Sequence, residues 1–206
     1  TGEAQKEYFD EVKKGAAAMG ISVKMGKNGK ISAKYNGKGE ISKDGQLFMD
    51  AVNDKTVKVN MNATNSNFIN NNAPFFGVAF MGNSISYSQN GDGSLSPAYA
   101  EAFQTVNPSD LKMMDEYYGK PGQTSLHEIT EAYQGVQISF GKGVSSGYAN
   151  APGSVFNQAH ILAIPQSGNV YENRYDEKDN RLPREKFHNA KWIDYNVGKP
   201  PHDKNV

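Results

Sequence analysis

The nine residues His127-Glu128-Ile129-Thr130-Glu131-Ala132-Tyr133-Gln134-Gly135, HEITEAYQG, decide how the rest of the chain is read. On a helix, positions i and i+4 lie one above the other, about one turn apart. His127 and Glu131 would therefore share a face, at the spacing from which two side chains reach one ion. Glu128 is rotated off that axis, where a carboxylate can take a proton from water held beside the ion. The helix is expected to begin within residues 121–125 and to end at Gly135, because glycine readily adopts the left-handed conformation that terminates helices.

Downstream, SVFNQAHILAI (residues 154–164) has a serine at its start and Pro165 just past its end, the punctuation of a short helix with His160 inside it. The loop over 141–153 is long enough to fold that helix back on the first, which makes His160 the best third ligand. Three His or carboxylate ligands and one open position form a catalytic zinc set. If His160 completes it, the coordinating atoms should lie roughly 3 to 3.5 Å apart, as bonds of about 2 Å require. Glu172, in an expected strand over 169–175, is the runner-up, and two carboxylates with one His would favour a harder ion. Two His and one Glu is also the composition of an H-E-x-x-H site completed by a distant Glu, with the Glu and one His exchanged.

Plainer readings compete with these. Ser125 and Glu128 fit a capping box, in which the glutamate only satisfies a backbone donor. His160 could be a core histidine, and His127 with Glu131 an ordinary i to i+4 pair. Tyr133, Tyr171 and Tyr175 are placed to steady an oxyanion, but a half-buried tyrosine is more often a packing residue. His188 and His202 lie in polar, Pro- and Lys-containing surroundings and are expected at the surface. No phosphate-binding Gly-rich loop ending in Gly-Lys-Ser/Thr and no G-x-S-x-G elbow is present, which disfavours nucleotide hydrolysis and serine esterase chemistry.

The remaining pattern alternates between helix and strand. Helices are expected over residues 3–18, 43–52 and 110–118, and strands over 21–25, 30–35, 56–61, 74–80, 84–88, 169–175 and 191–197. Asn28-Gly29 and Gly82-Asn83 read as hairpin turns and residues 90–93 as another turn. The Asn-rich residues 62–73 read as loop, and 96–106 fit either a helix or a strand.

With 206 residues the chain suits one domain, 1–206. Lys and Arg equal Asp and Glu at 22 each, so nothing gathers phosphate backbones and nucleic acid is not an expected partner. No apolar run approaches a membrane span. Cysteine is absent, which removes disulfides and thiolate ligands and leaves any metal to His and carboxylate. Many Tyr and Asn without Cys suit a bacterial secreted or surface protein, with a cytoplasmic address left open. The start at Thr1 suits a processed form, a truncation made for expression or the tail of something longer.

The segment LHEITEAYQG, followed by SVFNQAHILA, resembles zincin-like metallopeptidase domains, particularly those at the C-termini of bacterial polymorphic-toxin and YD-repeat proteins. The resemblance spans roughly residues 124–175, and its sharp parts are the H-E-x-x-E core and the downstream Ala-His. It implies an α+β fold, a small twisted sheet with flanking helices over a zincin-like active-site helix. It also implies zinc held by His127, Glu131 and His160, with Glu128 as general base. The expected function is a zinc-dependent metalloendopeptidase acting on a peptide or protein, as a secreted toxin or effector domain whose inhibitor or immunity partner is unspecified. The competing class is a non-enzymatic binding or interaction domain working through Asn-rich loops and exposed aromatics. A third keeps the zinc but cuts another amide, such as one in cell-wall material.

Overall fold

Tyr8, Val12 and Ala16 recur one turn apart, and residues Gln5–Ala18 form helix α1 with that stripe buried. The structure is a computed structural model that describes residues 1–69, 73–183, 186 and 189–198. After α1, β1 (Ile21–Met25) and β2 (Ile31–Tyr35) pair antiparallel. At the expected Asn28-Gly29 turn only Gly29 takes a positive φ, +77°, while Asn28 Oδ1 accepts from the Lys30 amide at 3.2 Å. Helix α2 (Lys43–Asn53) starts on Ser42, whose hydroxyl accepts from the Gly45 amide at 3.0 Å.

A three-stranded sheet of order β3-β7-β6 follows, with β3 (Val57–Ala63) parallel to β7 (Leu95–Val106) and β6 (Val78–Gln89) antiparallel to it. Residues 96–106 are thus strand, with Ala100, Ala102, Gln104 and Val106 alternating inward. The two strands expected around Gly82-Asn83 are one: β6 runs through the pair with a register shift between Phe80 and Asn83. Gly82, at φ +90°, lies so close to a neighbouring segment that an added Cβ would sit 2.4 Å from the Ser146 carbonyl oxygen. The pair therefore makes a bulge and does not reverse the chain. The Asn-rich stretch is not all loop either, since β4 (Phe68–Ile69) pairs with β5 (Ala73–Pro74), with 70–72 outside the described residues.

Both rims of the sheet carry further bonds. Along β3, the Thr1 amine donates to Met61 O at 2.9 Å and the Ala63 amide to Thr1 O at 2.8 Å. Along β6, the Asn83 amide donates to Ser146 O at 2.8 Å and the Ile85 amide to Ser145 Oγ at 3.0 Å.

Helix α3 (Pro108–Tyr117) begins on Asn107, whose side chain accepts from the Ser109 amide. Helix α4 (Gln123–Lys142) packs on α1, α2 and α3, on the sheet, and on α5 (Phe156–Leu162). The hairpin of β8 (Val170–Tyr175) and β9 (Trp192–Val197) comes last. The core joins residues of α1, β1, α2, β3, β7, α3 and α4 with Ile164, and takes none from the β8–β9 hairpin. The fold is α+β, as expected. No helix among the described residues is long and apolar enough to cross a membrane.

Candidate metal centre

Helix α4 is the element on which the site is built, and its surroundings explain its position. Gly122 precedes it at φ +79°, and the Thr124 amide donates to the buried Asp115 carboxylate of α3 at 3.0 and 3.2 Å. A carboxylate at a helix start satisfies free amides and complements the helix dipole. Tyr8 of α1 donates its hydroxyl to the Ser125 carbonyl at 3.2 Å. The helix does not stop at Gly135. It ends on Gly143, at φ +62°, whose amide donates to Phe140 O while Val144 N donates to Ser139 O. Gly135 is instead a contact point: a Cβ there would lie 3.1 Å from the Phe80 ring and 3.5 Å from Ala159 Cβ. Close packing of a strand and a helix at that position offsets the roughly 1 kcal/mol that glycine costs inside a helix.

The capping-box reading of Ser125 and Glu128 does not hold. The helix begins at Gln123, so Ser125 is already within its first turn, and its hydroxyl has no hydrogen-bond partner among the described residues. Glu128 lies a turn further on, fully buried.

His127, Glu131 and His160 converge. His160 Nδ1 lies 2.7 Å from Glu131 Oε2 and 3.1 Å from His127 Nε2, and His127 Nε2 lies 3.4 Å from the same Glu131 oxygen. Tetrahedral geometry with bonds of about 2 Å sets these atoms about 3.3 Å apart, so the separations bracket what one ion requires. The three form a group able to hold a metal ion. Glu172 is not in that group: it pairs with Arg174 at 3.1 Å on β8.

The segment after α5 holds the histidines in place. His127 Nδ1 faces the Ile164 carbonyl oxygen. That oxygen can only accept, so Nδ1 carries the hydrogen and Nε2 offers its lone pair to the cluster. The Ile164 amide in turn donates to Thr130 Oγ1 at 3.1 Å, and Gln123 Nε2 donates to Pro165 O at 2.6 Å. Helix α5 begins after Val155, and Ser154 only accepts from the Phe156 amide, which makes a local turn where a full cap was expected.

The carboxylates are equally constrained. Gln104 of β7 donates Nε2 to Glu131 Oε1 at 2.8 Å and lies 3.5 Å from Glu128 Oε2. Burial, reinforced by the Glu131 charge, pushes the Glu128 carboxyl well above its ordinary range. Burial would raise Glu131 as well, but the neighbouring His127 and His160 imidazoles outweigh it and hold that carboxyl below the usual value. The same bond to Glu131 raises His160, against its partial burial.

Of the other sequence candidates, Tyr133 is committed elsewhere. Its hydroxyl donates to Asp54 at 3.0 Å, and burial together with that carboxylate pushes it up to about 12. Tyr175 stacks on Trp192 with ring centroids 4.0 Å apart. His188 and His202 lie outside the described residues. Gln104, Thr130, Gln166 and the Ile164 carbonyl were not singled out from the sequence. Gln104 sits 23 residues before the motif on a strand, and a carbonyl has no residue-type signature.

Comparison with known proteins gives no matching family model, and neither a curated protein nor a solved structure matches the chain.

Proposed function

We propose that the protein is a zinc-dependent hydrolase of zincin-like type, cutting peptide bonds, with the ion held by His127 Nε2, Glu131 Oε2 and His160 Nδ1. The observation that carries the reading is the convergence of these three atoms from two helices within ion-sharing distance. When bound, zinc in a three-ligand site supplies the Lewis acidity that activates water and polarises a carbonyl.

Glu128 supports the reading by its position. It neighbours the ligand set without joining it, and its carboxyl is spaced from Glu131 by Gln104 and also bonded by Gln166. A buried carboxylate beside the ligand set is placed to take a proton from the attacking water and return it to the leaving amine. His160 also lines a cleft of about 480 Å³ with Ala149, Asn150, Phe156, Asn157 and Ile161. A substrate side chain in that cleft would lie against His160. The cleft mixes apolar side chains with two asparagine amides and carries no fully charged group, a lining that matches a peptide better than a highly charged substrate.

Glu128→Gln tests the proposal, because it keeps the side chain's shape and removes its basicity. Zinc content by elemental analysis should remain at about one per chain, while hydrolysis of a peptide library falls by several orders of magnitude. Full turnover by that variant would remove Glu128 from the chemistry. A wild-type protein that takes up no zinc after chelation and metal return would remove the hydrolase reading altogether.

A further inference from the structure

We infer that Gln104 is a positioning residue that restricts Glu131 to one coordinating oxygen, holding the centre at a low coordination number with a position open. The inference rests on the metal-site reading above.

The two oxygens of Glu131 are divided between two tasks. Oε2 faces both histidines, at 2.7 Å from His160 Nδ1 and 3.4 Å from His127 Nε2. Oε1 accepts the Gln104 Nε2 hydrogen at 2.8 Å, and both residues are about 1% exposed. The amide takes one of the two lone pairs of Oε1 and draws its charge toward the N–H, which makes Oε1 a weaker second donor than Oε2. Reversing the amide offers no escape, since it would set two acceptor oxygens against each other in a buried site. The backbone cannot withdraw either, because Gln104 lies on the central strand, opposite Met61 on one side and Phe80 on the other. A single-oxygen glutamate with two imidazoles suits four-coordinate zinc, whereas a two-oxygen glutamate raises the coordination number toward what harder ions prefer.

Gln104→Met keeps the length of the side chain and removes its donor. With cobalt(II) as the probe, the wild-type protein should show the intense visible absorption of a four-coordinate site, and the variant the weaker bands of a higher-coordinate one. Zinc affinity, measured by competition with a chromophoric chelator, should fall roughly 10- to 100-fold, the range typical for loss of a partner that orients a ligand. A cobalt spectrum and a zinc affinity both unchanged in the variant overturn the role of Gln104 and leave the metal site standing. A wild-type protein that binds neither ion overturns the metal site itself and this inference with it. Should the variant not fold, nuclear magnetic resonance of the zinc-loaded wild-type protein decides. One Gln104 side-chain proton should be protected from exchange, and an amide exchanging as fast as an exposed glutamine overturns the assignment.

Discussion

Helices α4 and α5 bring a histidine each to the same cluster, yet they are held in opposite ways. Helix α4 is buried on nearly every side, with His127 and Glu131 at 2% and 1% exposure. Helix α5 has seven residues and one buried one, Ala159, and exposes Ile161 at 81%. So short a helix has little intrinsic stability. It is secured at its ends, by Val155 N on Ser146 Oγ and Ile164 N on Thr130 Oγ1. One half of the cluster is thus fixed by the core, and the other is presented at the surface.

The sharpest way to break this comparison is His127→Ala. It should reduce zinc from about one per chain to a small fraction, measured by elemental analysis after dialysis, because it removes one of the two ligands that the core holds. A variant that keeps its zinc would mean that the α4 side is not the anchor.

Next comes packing. Leu126 is fully buried beside His127, and Leu126→Ala should cost about 2–5 kcal/mol in urea unfolding. A loss under 1 kcal/mol would show that α4 is less tightly packed than its burial implies.

A smaller effect follows from the His160–Glu131 pair in chelated protein. The pair raises His160 above 6.5, so its contribution to stability is full below that pH and is lost as pH rises through the folded-state value. Glu131 is held below 4.5, so its share is present above that pH and is lost as pH falls through its own folded-state value. Stability of the chelated protein should therefore decline on both sides of the window between them. His160→Gln should flatten the alkaline decline, and an unchanged profile would show that His160 does not hold a proton against Glu131.

The smallest effect is expected at Ile161, where Ile161→Ser should change stability by no more than about 0.5 kcal/mol. A larger loss would mean that α5 is packed more firmly than its exposure suggests.

The i to i+4 spacing in HEITE and the isolated His160 were legible because coordination constrains residue type, and helical geometry constrains spacing. Glycine was less legible, since the same residue ends a helix, bulges a strand or admits a neighbour, and sequence alone does not show which. Gly135 was read as a helix end and Gly82 as part of a hairpin turn, and both are sites of close approach set by partners far along the chain, Phe80 and Ser146. Serine behaved likewise: Ser125 has the spacing of a cap, but Gly122 and Asp115 had already fixed the helix start. The supporting residues were hidden for a related reason. Gln104 matters only because β7 lies under α4, and Ile164 acts through its backbone.

The bonds along the two rims of the β3-β7-β6 sheet have a consequence for self-association. Amides at Ala63, Asn83 and Ile85, which would otherwise template a foreign strand, are already spent on Thr1, Ser146 and Ser145. At these positions a second chain finds no ladder to extend. Merging of molecules by strand pairing, the usual route toward fibrils, is closed off there by bonds within the molecule, to which β3 adds the charged Lys58, paired with Glu101 of β7 at 3.0 Å.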